Sequence, residues 1–180
     1  MLPWFEPLPI FYYWQKLEQN LKEGPVGYFG SNNTKILELT QRLPKRIWVF
    51  KTPRGMKGSI QLVGSLLVSE TPCVAVKTDY PNVIYYDPFS SESVMYIDSG
   101  TPQRIQEVSG YFQNRFHSAF SSNFQGDAGL QAMESNVARG FEALVADWDT
   151  CQMLDRVKNR ERFSPSILSH NIQRNRGFVA

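Results

Sequence analysis

The sequence predicts an α+β protein: a small curved sheet with one helix inserted early and further helices flanking it. Three observations carry this. From Arg46 onward the apolar residues change from helical spacing to a period of two. Between there and residue 98, short apolar runs alternate with Pro, Asp and Ser turns. At Thr101-Pro102 the helical spacing returns, behind a threonine suited to an N-cap and a proline suited to the first turn.

After Pro9, IFYYWQKLEQNLKEG puts Phe11, Trp14, Leu17 and Leu21 near helical spacing, and Gly24-Pro25 stops it, which predicts an N-terminal helix. VGYFGS follows as a short strand. NNTKILELTQRLP predicts a helix capped by Asn32 or Asn33, apolar at Ile36, Leu37, Leu39 and Leu43, and ended by Pro44. RIWVFK (46–51) is a strand. GSIQLVGSLLVSE (58–70) alternates Ile60, Leu62, Gly64, Leu66 and Val68 on one side. CVAVK, VIYYD and SVMYID supply further short strands, so residues 26–98 predict a curved sheet tending to a small barrel. Beyond Thr101, Ile105, Val108, Phe112, Phe116 and Phe120 recur every three or four residues. Asp127 opens a second long helical segment with Leu130, Met133, Val137, Phe141, Leu144, Trp148 and Cys151. Leu130, Val137, Leu144 and Cys151 repeat every seven, as a core face or as the seam of a homo-oligomer through the C-terminal helices. The expected division is 1–125, sheet and N-terminal helix, and 126–180, a helical extension with a basic tail.

A chain of 180 residues, 42% hydrophobic and 20% charged, has room for one globular core with a helical appendage. A net charge of +2 sets up no global field for a polyanion. The distribution is less even: from Arg156 to the end there are six Lys/Arg against Glu161 alone. A second basic run, Arg42, Lys45, Arg46, Lys51, Arg54 and Lys57, contains no acid between Glu38 and Glu70. Two distant cysteines, Cys73 and Cys151, suit a reducing compartment. MLPWFEPLPIFYYW carries Glu6 and three prolines, unlike a signal peptide, and no apolar run approaches the roughly 20 residues that span a bilayer. A cytoplasmic protein without membrane partners is expected.

Residues for catalysis are sparse. His117 and His170, with the two distant cysteines, supply no zinc tetrad. There is no Gly-x-Ser-x-Gly elbow, phosphate loop, dinucleotide fingerprint, Asp-x-Lys or Glu-x-Lys. Asp147 and Asp149, two apart on a helix, diverge by about 200°. No catalytic residue, metal or cofactor is therefore assigned. Binding has better material, because a flipped or modified base is held by aromatic faces, edge hydrogen bonds and a basic rim. Gly27 to Gly58 contains Tyr28, Phe29, Trp48 and Phe50, the polar turn Ser31, Asn32 and Asn33, and the basic run. The alternation in RIWVFK equally allows Trp48 or Phe50 to serve the core.

The order strand, Gly-Ser-Asn turn, helix and RIWVF resembles the beginning of a YTH domain. IWVFKTP resembles the W-x-F-K opening of EVE domains, and GSIQLVGSLLVSE is similar to a strand of both families. Both belong to the PUA-like superfamily, and the resemblance covers residues 26–70, extending toward 125. It implies a small pseudo-barrel with helices around it that binds DNA or RNA through a modified base, as a sensor in a restriction or defence system. Matched residue by residue, Trp48 takes the place of a cage tryptophan, and Ser31 and Asn32 that of the turn that reads the base edge. The chain departs from the YTH pattern at Gly30, where that family has lysine, and has no later cage tryptophan between residues 60 and 140. Tyr85, Tyr86 and Phe89 are the candidates to complete a cage. Asp87 would accept from an exocyclic amine or, alternatively, cap its own turn. The expected base-binding set is thus Tyr28, Ser31, Asn32, Trp48, Phe50, Tyr85, Tyr86 and Asp87, with Arg46, Lys51, Arg54 and Lys57 on phosphates. Two other classes stand beside this reading. One is a divergent metal-dependent nuclease or other hydrolase using Asp79, Asp87, Glu92 and Asp98. The other is a protein-interaction or oligomerisation module.

Overall fold

Strands β3 (Arg46–Lys51) and β4 (Gln61–Ser69) form the antiparallel centre of the sheet in the computed structural model, which describes residues 6–24 and 26–158. β1 (Ile10–Tyr13) runs parallel to β3, with Ile10 opposite Ile47, and β7 (Leu130–Ala132) is antiparallel to β1. Along the other edge of β4, β5 (Asn82–Tyr86) pairs at Val68–Ser69 and β6 (Val94–Tyr96) at Gly64–Ser65. β2 (Tyr28–Ser31) continues from β5 and β8 (Thr150–Gln152) from β6. The eight strands curl into a half-barrel, and five α-helices among the described residues make the molecule a mixed α/β structure. Gly64 permits the β4–β6 approach: a Cβ there would stand 2.6 Å from the Val94 carbonyl oxygen.

Alternation sorts the side chains of β3 into two cores. Ile47 and Val49 join Ile10, Trp14, Phe29 and Tyr86 inside the curl. That side is closed by Leu17 of α1 (Leu17–Glu23) and by Ile36 and Leu39 of α2 (Lys35–Gln41). Trp48 and Phe50 join Phe11, Ile60 and Leu62 on the outer face. Three helices cover it: α3 (Pro102–Gln113), α4 (His117–Ser121) and α5 (Ser135–Val145), through Phe112, Ala119 and Phe141. Both faces of β3 are buried, so, in place of the period of two expected from Arg46 onward, its middle is apolar throughout.

Local signals explain the helix starts. Thr101 Oγ1 accepts from the Arg104 amide at 3.4 Å, as its N-cap position implies. At α2 the N-cap is Thr34, without a side-chain cap bond, rather than the expected Asn32 or Asn33. Asn33, one residue upstream, accepts from the Lys35 amide through Oδ1 at 2.9 Å, and Ser31 Oγ accepts from the Asn33 amide at 3.0 Å. Of the four apolar positions expected on α2, Ile36 and Leu39 are buried while Leu37 and Leu43 are exposed.

Four expectations are corrected. The segment from Ile10 begins as a strand, and helix starts only at Leu17. Its Ile-Phe-Tyr-Tyr run favours extended backbone, and parallel pairing with β3 satisfies it. CVAVK forms no strand, and only Val74 in it is buried. The phenylalanine segment breaks after Gln113 and resumes at His117. The segment after Asp127 is a 3-10 turn, β7, α5 and β8 rather than one helix. The seven-residue repeat is therefore spread over two strands and a helix and forms no continuous seam: Leu130 faces the inner core, and Val137 and Leu144 pack on the outer one. Within 126–158 the expected extension supplies two strands of the common sheet. The basic tail from residue 159 and His170 lie outside the described residues.

Candidate functional site

A cleft of about 680 Å3 lies between the end of β1, the start of α1, β2 and the 77–80 loop. Its construction follows from the chain. β1 leaves the sheet with the Trp14 amide donating to the Phe50 carbonyl at 2.8 Å. The Trp14 indole Nε1 then donates to Asn20 Oδ1 at 2.9 Å, tying the turn to the middle of α1. Phe29 packs against Tyr12 (ring centroids 4.2 Å apart) and edge-on to Trp14 (4.9 Å), which makes an aromatic floor. The Tyr28 hydroxyl accepts from the Lys77 amide at 3.0 Å and donates to the Lys77 carbonyl at 2.8 Å, which pins the loop. Tyr80, 44% exposed, lies over Gly30 as the outer wall.

The floor is neutral. Burial pushes Tyr12 up to about 12, with the nearby Tyr80 adding to the rise. Burial also raises Tyr86 beneath it; the Gly27 backbone approaches that hydroxyl, but no hydrogen bond of good geometry forms. Lys16, Lys77 and the single carboxylate Asp79 stand among the lining residues, with Gln15, Asn20 and Asn32 as neutral hydrogen-bonding groups. An adjoining hollow of about 210 Å3 shares Tyr12, Gln15 and Gly30 and continues past Ser31 and Asn33 to Phe124. Asn33 Nδ2 donates to Asp127 Oδ1, and Lys35 Nζ to the Asp127 carbonyl at 2.8 Å, so the polar turn is braced. Flat walls, amide edges and rim ammonium groups suit a planar polar ring bearing an anionic substituent.

Of the sequence-predicted residues, this cleft brings together Tyr28 and Asn32; Ser31 lines the adjoining hollow, its Oγ engaged by the Asn33 amide. The rest lie elsewhere. Trp48, 4% exposed, is in the outer core against Tyr96 and Phe141, its Nε1 without a partner. Phe50, fully buried, stacks on Phe11 at 4.4 Å. Tyr86 is fully buried in the inner core against Phe29. Trp48, Phe50 and Tyr86, all expected in the base-binding set, are instead core residues: both faces of β3 are covered, and Trp48 and Tyr86, expected to stack on one base, belong to separate cores. Tyr85 lines an outer groove of about 610 Å3 with Leu43, Leu67 and Val83. Asp87 Oδ1 accepts from the Phe89 amide at 2.9 Å and so caps its own turn.

The expected phosphate residues also separate. Arg46 donates to Ser65 Oγ (2.6 Å) and the Glu92 carbonyl (3.2 Å), and Lys51 pairs with Glu18 at 3.0 Å. Five residues of strand set them about 17 Å apart. Arg54 and Lys57 are exposed on the connection between β3 and β4. No sequence pattern marks Tyr12, Trp14, Lys16, Asn20, Lys77 or Tyr80 as a site residue, Trp14 standing out only as an apolar position. The available signal was the tyrosine in TDYP, an aromatic inside a polar turn.

Among the described residues no group of three or more His, Cys, Asp or Glu side chains is placed to hold a metal ion. Cys73 and Cys151 are free thiols; burial pushes the Cys73 thiol up, partly offset by its hydrogen bond to Ser69. No helix among the described residues is long and apolar enough to cross a membrane. No protein-family model matches the chain, and neither a curated protein nor a solved structure matches it.

Proposed function

We propose that this chain is a nucleic-acid-binding module that takes one base, flipped or modified, into the cleft between β1, β2 and the 77–80 loop. The observation that carries the reading is the wall: an exposed tyrosine ring on glycine, facing an aromatic floor, above a braced Gly-Ser-Asn turn. Tyr80 stacks on the base, Asn32 and Gln15 read its edge, and Lys16 and Lys77 hold flanking phosphates. The same turn carries the resemblance to PUA-like base binders, which supports the assignment of ligand class. Fluorescence anisotropy with labelled single-stranded oligonucleotides tests it. Tyr80→Ala should weaken binding about 5- to 150-fold, the range for one lost stacking partner; an unchanged affinity would remove the cleft from consideration.

A second reading, a protein-interaction module, is favoured by the groove beside Tyr85. Leu43 stands at its edge 65% exposed and in a left-handed conformation (φ 48°). Light scattering after size exclusion separates the two, because self-association through an apolar groove resists salt whereas phosphate contacts do not.

A further inference from the structure

Helix α1 separates the cleft from a second pocket of about 310 Å3. Lys16 and Asn20 line the cleft, while Glu18 and Lys22 line the second pocket. At about 100° per residue these pairs fall on different flanks of the helix. The far wall is β4 and β6, with Val63 and Met95 as its apolar base. The remaining side is the chain at 156–158, stitched on by the Lys158 amide donating to the Leu21 carbonyl at 2.8 Å.

Three distant parts of the chain thus bring four cations to one pocket: Lys22, Lys51, Arg156 and Lys158. Glu18 is the single carboxylate among its lining residues, and it pairs with Lys51 at 3.0 Å while its side chain is 81% exposed. An exposed pair of this kind contributes little and is readily exchanged for a stronger anion. A net excess of three positive charges over an apolar base suits a tetrahedral oxyanion, for which ammonium groups and a guanidinium are the natural donors.

We propose that this pocket is a phosphate site for the backbone of a nucleic-acid strand that crosses α1 from the cleft. A helix with its side chains is about 10–12 Å across, a distance that a strand of a few nucleotides spans. The source of the phosphate rests on the nucleic-acid reading; the anion chemistry of the pocket does not depend on base stacking.

The test uses the full chain and a short abasic oligodeoxynucleotide, which keeps phosphates and lacks bases, titrated at several salt concentrations. The parent should bind it, and Lys22→Gln/Arg156→Gln should flatten the plot of log K against log salt by about 0.7 for each phosphate that is no longer neutralised. Lys22→Arg/Arg156→Lys should restore the slope, which separates a missing charge from a failure to fold. Arg139→Gln, an exposed cation on α5, should leave the slope unchanged. An unchanged slope in the double Gln variant overturns the proposal. So does tighter, equally variant-sensitive binding to phosphatidylserine vesicles, which would assign the pocket to a lipid headgroup. Failure of the cleft reads differently: Tyr80→Ala would then bind base-bearing oligonucleotides like the parent while the abasic titration still responds to Lys22 and Arg156.

Discussion

Tyr80 lies directly against Gly30: a Cβ placed on Gly30 would stand 2.8 Å from Tyr80 Cδ2 and 2.9 Å from its Cβ. The wall of the cleft therefore depends on a missing side chain in β2. Gly30→Ala should push the Tyr80 ring outward. The ring sits on an exposed loop and can move, so the stability cost should stay near the low end of overpacking, about 1 kcal/mol. Oligonucleotide affinity should fall as it does in Tyr80→Ala. Urea unfolding and anisotropy on the same samples check both parts.

Trp14 and Asn20 make the next prediction. Trp14 is buried and its Nε1 donates to Asn20 Oδ1. Asn20→Leu removes the acceptor and leaves a buried donor, at a cost of about 1–3 kcal/mol. Asn20→Asp keeps an acceptor and should recover most of that loss in urea denaturation at neutral pH.

Trp48 separates core from cage. In the outer core, Trp48→Ala should destabilise by about 3–5 kcal/mol. The molecules that remain folded at low temperature should bind oligonucleotide like the parent. A variant of parental stability that no longer binds would return Trp48 to the site.

Tyr12 predicts a pH dependence. Burial raises its folded pKa to about 12, from an ordinary value near 10. Above pH 10 the unfolded chain sheds this proton while the folded chain keeps it, so the contribution to stability is complete below pH 10 and is lost as pH rises through 12. Tyr12→Phe should therefore lose less stability than the parent between pH 10 and 12. Parallel urea-midpoint profiles would contradict the assignment.

Gly64 tests the sheet itself. A Cβ there meets the Val94 carbonyl oxygen at 2.6 Å, and backbone yields less than a loop side chain. Gly64→Ala should cost about 1–3 kcal/mol, more than Gly30→Ala. Paired urea curves decide it.

Much of the secondary structure was legible because period and capping are local. The middle strands, the α2 turn chemistry and the Thr101 cap follow from residues a few positions apart. β1 was missed because its pairing partner lies about forty residues away, and helical spacing at Phe11, Trp14 and Leu17 is compatible with either state. β7 and β8 were missed for the same reason: each is three residues long and is defined by its neighbour. The candidate cleft is legible only in part. Of its lining residues, Tyr28 stands out in the sequence as an aromatic and Asn32 as part of the polar turn. Trp48 and Phe50 misled because alternation along one strand does not reveal that helices cover its second face. Tyr80 and Lys77 sit in a loop without periodicity, brought to the cleft by contacts with Gly30 and the Tyr28 hydroxyl that are distant in sequence.

Ultraviolet crosslinking of a bound oligonucleotide, followed by mass-spectrometric mapping of the adducts, tests base capture most directly. The cleft predicts adducts on Tyr80 or Tyr12 that disappear when unlabelled oligonucleotide competes. Adducts confined to the outer groove at Tyr85, or to residues outside the cleft altogether, would contradict it.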